Sequence, residues 1–217
     1  NLVVSLNGPE VPIMDGSAKD FIKIIKNCGL KIQEGKRKFV KIKKTVQLKD
    51  GEKFINIKPK DKNFDVKFTL KYEKCPFIQT QTNKINFKNK NLDDIVNART
   101  FCLYEDIEEI KSLGLAKGGS LKNAIVVKGD KILNEEGLRS ETEFVNHKIL
   151  DLVGDFMLSG VRVIGAVECI HGGHALTNEF LKKIFSDKSN YTIVDNESSS
   201  ENIRKILPIN KRLVVNA

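Results

Sequence analysis

The sequence predicts an α+β fold, with helices layered against small sheets of mixed or antiparallel strands. Two observations support this prediction. Between residues 39 and 87, apolar and polar residues alternate, which is the period of a strand with one buried face. Elsewhere, and most clearly over residues 141–158, apolar residues recur at every third or fourth position, which is the period of a helix packed on one side.

The first segments predict a strand, a shaped loop and a helix. Residues 2–6 read as a strand already in progress, and the chain does not begin with Met, so we expect that an N-terminal portion is missing. Residues 8–18 hold two prolines and two glycines, which exclude regular structure there. Ser17 can cap a helix whose apolar stripe begins at Phe21 and which ends beside Gly29.

A small antiparallel sheet follows. Residues 39–48 alternate, residues 50–51 are Asp-Gly, a typical hairpin turn, and residues 54–59 return as the partner strand. A third strand is predicted over residues 65–72 and a fourth over residues 85–87. Three or more strands with one apolar face can be stable together, and the other face of this sheet is polar and basic.

The second half of the chain contains both periods. We expect helices over residues 92–96, 105–113 and 141–158 and a short one through Phe180 and Ile184, with strands over residues 124–127 and 161–167. A Gly-Gly-Ser turn precedes the strand at 124–127, and a His-Gly-Gly-His loop follows the strand at 161–167. The chain from about residue 187 is rich in Ser and Asn and predicts a loose tail.

The composition excludes several classes of protein. The 217 residues include 40% hydrophobic and 30% charged residues, which excludes wholesale disorder. No apolar run is long enough for a membrane-spanning helix, and no signal peptide is recognisable. The four cysteines are far apart, which argues against a disulfide framework or a Cys-rich zinc site and favours a reduced, cytoplasmic compartment.

Basic residues outnumber acidic ones by 37 to 28, and most of the excess precedes residue 91. Such a surplus can indicate a nucleic-acid, phosphate or anionic-lipid partner, or simply a solvated surface. No nucleic-acid-binding signature accompanies it, so we expect no nucleic-acid partner. The surplus is also compatible with work close to an anionic membrane surface.

A histidine and two aspartates share one face of the long helix. His147 and Asp151 stand four residues apart, so an imidazole nitrogen and a carboxylate oxygen can meet one zinc ion. The alternative is a His–Asp pair with no metal. Asp155 lies one further turn along, where it can orient a nearby imidazole or simply be a solvated charge at the helix end.

Two more histidines flank a pair of glycines. His174 is a candidate general acid or base beside a pocket, because the glycines leave room for a substrate. Spacing alone does not separate it from His171, and a surface histidine is the alternative reading. Two protein ligands are one short of the usual three for catalytic zinc, so the residues alone indicate an incomplete His/Asp metal site.

A series of longer motifs occurs in a recognisable order. They are PEVPIMDGSA at 9–18, ARTF at 98–101, the Gly-Gly-Ser region at 115–123, LNEEGLR at 133–139, EFV at 143–145 with His147-Lys148, Leu150-Asp151 and Gly154-Asp155, and GHAL at 173–176. Over roughly residues 1–185 the chain resembles the UDP-3-O-acyl-N-acetylglucosamine deacetylases, which are zinc hydrolases of lipid A biosynthesis.

The resemblance implies roles for individual residues. His147 and Asp151 match two of the family's three zinc ligands. His174 matches the histidine that stabilises the oxyanion and protonates the leaving amine, and Asp155 matches the aspartate that holds it cationic. The implied substrate-binding residues are Thr100, Phe101, Gly119 and Lys148.

The resemblance also implies a domain organisation of two similar domains. Residues 1–36 match the C-terminal part of the first domain, residues 37–186 match the second domain, and residues 187–217 are the expected flexible tail. A helix–strand segment at about 118–138 matches the insert that builds a passage for the acyl chain. The family's third zinc histidine and its glutamate base lie in an N-terminal His-Glu-His-type motif that precedes residue 1, and in this chain His171 and Glu168 match no family ligand.

The expected function is therefore zinc-dependent removal of the acetyl group from UDP-3-O-acyl-N-acetylglucosamine, in the cytoplasm of a Gram-negative-type bacterium. The alternative is a catalytically incomplete fragment, or a non-catalytic partner that needs a separate N-terminal segment.

Overall fold

The computed structural model describes residues 2–31, 33–73, 75–88 and 92–195. Within these ranges the chain forms two sheets and five α-helices, which confirms the α+β prediction. Short 3₁₀ turns lie at Tyr104–Asp106 and Lys188–Asn190. The helices are α1 (Lys19–Cys28), α2 (Asp93–Val96), α3 (Ile107–Ser112), α4 (Glu143–Met157) and α5 (His174–Ser186). The strands are β1 (Lys38–Ile42), β2 (Val46–Asp50), β3 (Lys53–Lys58), β4 (Phe64–Tyr72), β5 (Gln79–Asn86), β6 (Phe101–Leu103), β7 (Ile125–Lys128), β8 (Lys131–Ile132), β9 (Arg162–Ile170) and β10 (Tyr191–Asp195).

The larger sheet is built around β9, a strand that comes late in the chain. Strand β9 pairs with β1 in parallel through its first residues. Its last residues pair with β3 antiparallel and with β4 in parallel, so β3 and β4 lie on opposite edges, and β5 extends the sheet beyond β4. The sheet is therefore mixed and has seven strands, whereas the sequence grouped only the early strands, in an antiparallel arrangement.

The hairpin predicted at residues 50–51 is confirmed, because β2 and β3 pair antiparallel around it and Gly51 has a φ of +57°. The single strand predicted over residues 39–48 is wrong. It divides into β1 and β2, since β1 lies between β9 and β10 while β2 pairs with β3. The alternating pattern continues across the break, so the sequence does not reveal it.

The main core lies between one face of this sheet and the helices α4 and α5. Phe144, Ile149 and Phe156 of α4 and Phe180 of α5 are almost completely buried against the sheet. Gly165 of β9 faces the same core, where a Cβ would lie 2.9 Å from Cδ1 of Ile57, so a larger residue here would have to displace that side chain. The packing fixes α4, which carries most of the candidate site.

The smaller sheet contains β6, β7 and β8, with β6 and β7 parallel and β7 and β8 forming a hairpin. The helix expected within residues 118–138 is not there. Residues 118–124 form turns, residues 125–132 form the hairpin, and the helix of this unit, α3, comes before the range. The remaining extent of the predicted insert stays a prediction.

The N-terminal segment differs from the prediction. Residues 2–6 form no strand in the described structure, and Leu2, Val3 and Val4 are between 63% and 90% exposed. The strand prediction for these residues is therefore wrong, since no strand of the described residues pairs with them. The helix predicted after Ser17 is present as α1, and the Ser17 hydroxyl accepts the amide proton of Lys19.

The C-terminal prediction needs one correction. Residues 187–195, which we expected to be flexible, form a 3₁₀ turn and β10, which pairs with β1 through all five of its residues. Residues 196–217 lie outside the described part, and the two-domain division stays a prediction. Among the described helices, none combines the length and the apolar character that crossing a bilayer requires.

Candidate functional site

Four polar residues lie one turn apart along α4: Glu143, His147, Asp151 and Asp155. The sequence predicted a common face for the last three, and the structure gives each of the four residues a separate environment. Glu143 is completely buried, His147 is 9% exposed, and the side chains of Asp151 and Asp155 are 23% and 14% exposed. The site therefore runs along α4 from a closed end to a partly open one.

His147 has its protonation pattern set by the backbone. Its Nδ1 lies 3.0 Å from the carbonyl oxygen of Ala98. A carbonyl oxygen can only accept, so Nδ1 carries the proton and donates it. In the neutral ring the lone pair is then on Nε2, which is the form in which an imidazole binds a metal.

Asp151 completes the pair. Its Oδ1 lies 3.3 Å from Nε2 of His147, and its Oδ2 accepts a hydrogen bond of 2.7 Å from the ammonium group of Lys148. Two electron-rich atoms thus face each other, and a cation between them would relieve their repulsion. Two ligand atoms that each lie about 2.0–2.1 Å from one tetrahedral zinc are about 3.3 Å apart, so the observed distance fits zinc.

A third ligand is missing from this pair. No group of three or more His, Cys, Asp or Glu side chains that could hold a metal occurs among the described residues. Glu168, which matches no family ligand, is bound to Lys67 at 2.8 Å on the sheet. His171 has a φ of +50° and its ring lies edge-on to Tyr72 at 6.2 Å.

His174 pairs with Asp155, as the resemblance implied. Its Nδ1 lies 2.9 and 3.0 Å from the two carboxylate oxygens of Asp155. The side chain of His174 is 69% exposed, so Nε2 remains accessible. His174 is the first residue of α5, and the preceding loop is held tightly, because a Cβ on Gly172 would lie 2.3 Å from Sγ of Cys169.

A buried ion pair holds the backbone that binds His147. Arg99, 2% exposed, donates from its backbone N and its Nε to Oε1 of Glu143, at 3.0 and 2.8 Å. It also donates to Glu136 and to the carbonyl of Gly137, both at 2.6 Å. Burial would raise the pKa of Glu143, but the hydrogen bonds from Arg99 and Arg139 and the charge of Arg99 lower it overall. The sequence analysis did not identify this pair, although both residues lie in its motifs.

The loop at residues 8–18 joins the same structure. Asp15 binds Arg139 at 2.8 Å, and the carbonyl of Gly16 accepts the amide proton of Thr100 at 2.8 Å. Gly16 has a φ of +84°, and a Cβ there would lie 2.2 Å from the carbonyl oxygen of Asn123. Four separated sequence motifs therefore meet near the start of α4.

Of the predicted substrate contacts, two lie near His147. The ring of Phe101 is 6.5 Å from that of His147, and Lys148 binds Asp151. Thr100 uses its backbone to join Gly16 and Ile125. Gly119 is exposed, and the three atoms nearest to a Cβ built there all belong to Ala116. The roles of all four in substrate binding stay predictions.

Comparisons with known proteins agree with the motifs. The family model LpxC, UDP-3-O-acyl N-acetylglycosamine deacetylase, matches residues 1–186. A UDP-3-O-acyl-N-acetylglucosamine deacetylase of Myxococcus xanthus is 45% identical over 195 residues, covering 89% of this chain and 62% of that protein. Proteins of the same name from Haemophilus ducreyi and a Nitratiruptor species are 40% and 41% identical, over 89% and 93% of this chain and 64% and 67% of theirs. The chain thus spans about two thirds of the length of these relatives.

Proposed function

The chain belongs to the UDP-3-O-acyl-N-acetylglucosamine deacetylase family, and from this membership we propose that it carries part of the active site of a zinc-dependent amidohydrolase. Its substrate would be UDP-3-O-acyl-N-acetylglucosamine, an intermediate of lipid A biosynthesis. Hydrolysis of the acetamide would release acetate and leave a free 2-amino group on the sugar nucleotide. We place the reaction in the cytoplasm, where the four free thiols would stay reduced.

The observation that supports this proposal most strongly is the arrangement of His147 and Asp151. The bond from Nδ1 to Ala98 leaves a lone pair on Nε2, and Oδ1 of Asp151 faces it at 3.3 Å. His147 and Asp151 would hold the zinc. When bound, the zinc would supply a Lewis acid and lower the pKa of a water molecule, which can attack an amide once it has lost a proton. Lys148 fixes the other oxygen of Asp151, so Oδ1 stays directed at His147.

His174 would act on the substrate beside the metal. Its Nδ1–H donates to Asp155, which fixes the ring, and its exposed Nε2 is the atom free to meet substrate. In the protonated ring, Nε2–H can donate to the developing oxyanion and then give its proton to the departing amine. Asp155 is a positioning residue in this scheme, because it acts only through His174.

A second candidate function follows from the two-ligand count. No third ligand or glutamate base is identified among the described residues, so the chain alone would be catalytically incomplete. The chain would then be a partner that binds substrate and contributes two of the metal ligands, while a further segment of the family's length supplies the rest.

The test separates zinc binding from turnover. We expect His147→Ala to abolish both stoichiometric zinc and acetate release in the protein that contains the family's full length, while His174→Ala abolishes acetate release and retains zinc. His171→Ala is the matched control and should retain both. Loss of zinc in His174→Ala, or retention of zinc in His147→Ala, would contradict these assignments.

The same assay decides between the two candidates. Acetate release by the 217-residue chain with equimolar zinc would show that it completes its own site. Turnover that appears only when the remaining third of the family's length is added would show that the chain is an incomplete partner.

A further inference from the structure

The outer face of the larger sheet is basic. Buried apolar residues face α4 and α5, and the residues that alternate with them along each strand point the other way. Strands β5, β4, β9 and β3 are neighbours, so the outer face measures about 14 Å across these four strands. Five strands each place one basic residue on it: Lys41 of β1, Lys58 of β3, Lys67 of β4, Lys84 of β5 and Arg162 of β9.

The loop between β3 and β4 adds to this charge. Because β3 and β4 lie on opposite edges of β9, residues 59–63 must cross that strand. Lys60 in the loop binds Asp65 of β4, whose carboxylate lies on the outer face, and Lys62 is exposed in the same loop. We call these two lysines and the five basic residues of the strands the basic face.

Only part of the charge of the basic face is neutralised by ion pairs. Three of its lysines have an acidic partner, in the pairs Lys41–Asp61, Lys60–Asp65 and Lys67–Glu168. Its other four members form no ion pair within the described part of the chain: Lys58, Lys62, Lys84 and Arg162. The seven basic and three acidic residues named here therefore leave an excess of four positive charges.

Two contacts at the basic face bring like charges together. Lys67 and Lys84 stand directly opposite each other in the ladder of β4 and β5, an arrangement that destabilises a sheet. Burial, and after it the charge of Arg37 just before β1, lower the pKa of the Arg162 guanidinium. An anionic partner would relieve the repulsion at both places.

We propose that the basic face docks on the headgroups of an anionic lipid bilayer. Each Lys or Arg near such a surface adds to the attraction, and the members of the basic face are spread over a sheet surface that can lie against a plane of charge. Nucleic acid fits the face less well. A duplex is read by an element that enters a groove and a single strand stacks on exposed rings, whereas Phe39 and Phe54 on this face are half-buried.

This inference does not depend on the deacetylase activity. Helices α4 and α5, which carry the candidate site, pack on the opposite face of the sheet. Substitutions in the basic face therefore leave the candidate metal and acid–base residues untouched.

Vesicle sedimentation tests the charge of the face. We expect the purified chain to bind vesicles of phosphatidylcholine that contain about one third phosphatidylglycerol, to bind pure phosphatidylcholine vesicles far less, and to lose binding as salt is raised. Lys58→Gln/Lys62→Gln/Lys84→Gln removes three basic residues that have no ion pair within the described chain, and it should weaken binding about fivefold for each charge removed.

The matched control removes the same charge on the other side of the sheet. Lys182→Gln/Lys183→Gln/Lys188→Gln changes three exposed lysines in and just after α5. This control should weaken binding less than about fivefold in total, because these lysines would point away from the bilayer.

A gain of binding tests the same surface in the opposite direction. Glu168→Gln removes an acidic group from the face and releases Lys67, so it should strengthen binding to the anionic vesicles about fivefold. A variant that failed to fold would not bind more tightly in this way. Glu179→Gln, at an exposed position of α5, is the control and should change binding less than about twofold.

Three results with vesicles would overturn the proposal. They are equal binding to both kinds of vesicle, equal effects of the two triple lysine variants, and a Glu168→Gln variant that binds no more tightly than the wild type. A short DNA duplex is the fourth probe. If it binds the chain more tightly than the anionic vesicles and is lost in the same variants, the face serves a nucleic acid and not a membrane. Circular dichroism of each variant establishes that it is folded, and exposed substitutions of this kind change stability little.

Discussion

At the scale of single residues, the contact that should cost most stability to break is the buried ion pair of Arg99 and Glu143. A buried ion pair costs more to break than to build, because removing one partner leaves the other charge uncompensated in the interior. The pair also fixes the backbone at Ala98, whose carbonyl sets the tautomer of His147. Spacing and motifs in the sequence indicate His147, Asp151, Asp155 and His174 as candidate site residues, and their roles stay predictions. The sequence could not identify Arg99 with Glu143, because the partners are far apart in the chain and only the fold brings them together.

The first prediction concerns this pair. We expect Glu143→Gln to lower the free energy of unfolding by about 3–5 kcal/mol, since Arg99 would stay buried without its charge partner. Glu136→Gln is the matched control, because Glu136 binds the same guanidinium but its side chain is 58% exposed. It should cost about 1 kcal/mol or less. Urea unfolding measures both, and equal effects of the two changes would contradict the account.

The second prediction concerns pH. Burial raises the pKa of the Cys169 thiol to about 12, although the Gly172 amide and the charge of Lys148 act in the other direction. The unfolded chain would release this proton near the ordinary thiol pKa of 9.0, while the folded chain keeps it. The contribution of the thiol to stability is therefore complete below about pH 9 and is lost as pH rises toward 12.

The wild type should therefore lose stability more steeply than Cys169→Ala between about pH 9 and 11, by at most about 1.4 kcal/mol per pH unit. Urea unfolding at a series of pH values measures the two slopes. Cys28→Ala is the control, because that thiol lies half-exposed at the end of α1, and this variant should follow the wild type. Parallel slopes for wild type and Cys169→Ala would refute the prediction.

At the scale of elements, local signals were sufficient where a segment determines its own structure. The Asp-Gly hairpin, the helix after Ser17 and the length of α4 could be predicted because turn chemistry, capping and periodicity act over a few residues. The division of residues 39–48 into β1 and β2 could not, because it depends on which distant strand each half pairs with. Residues 191–195 form a strand for the same reason, although their neighbourhood is polar.

The third prediction concerns how the loop at residues 8–18 docks. Gly16→Ala should release this loop, because a Cβ would enter the carbonyl group of Asn123 and because alanine disfavours a φ of +84°. We expect the amides of Gly16 and Thr100, which bond in this region, to lose protection from hydrogen exchange. Gly8→Ala in the same loop has open space around it and should change nothing. Unchanged protection in Gly16→Ala would show that the loop is held by other contacts.

At the scale of the whole molecule, stability should be uneven. Strand β9 is paired on both edges and α4 packs on the sheet, whereas α1 has no buried residue and residues 2–13 are mostly exposed. We therefore expect amides of β9 and α4 to exchange last and those of α1 to exchange early, in native-state hydrogen exchange. If the amides of α1 exchanged as slowly as those of β9, this uneven distribution of stability would be contradicted. The family and its fold class could be predicted from the motifs, but a third ligand for the proposed zinc site could not, since spacing contains no information about it.

The position of β9 also has a consequence for synthesis on the ribosome. Strands β1, β3 and β4 cannot pair with β9 until β9 has been synthesised. Strand β9 begins at Arg162, 76 residues after β5 ends at Asn86. At about 5–20 residues per second, translation takes about 4–15 s to bridge that interval. Throughout it, the hairpins β2–β3 and β4–β5 present open edges with apolar faces, a surface that chaperones recognise and that neighbouring nascent chains can join. Because this central strand is made late, the nascent chain should need protection most between the synthesis of β5 and that of β9, before His174 has been made.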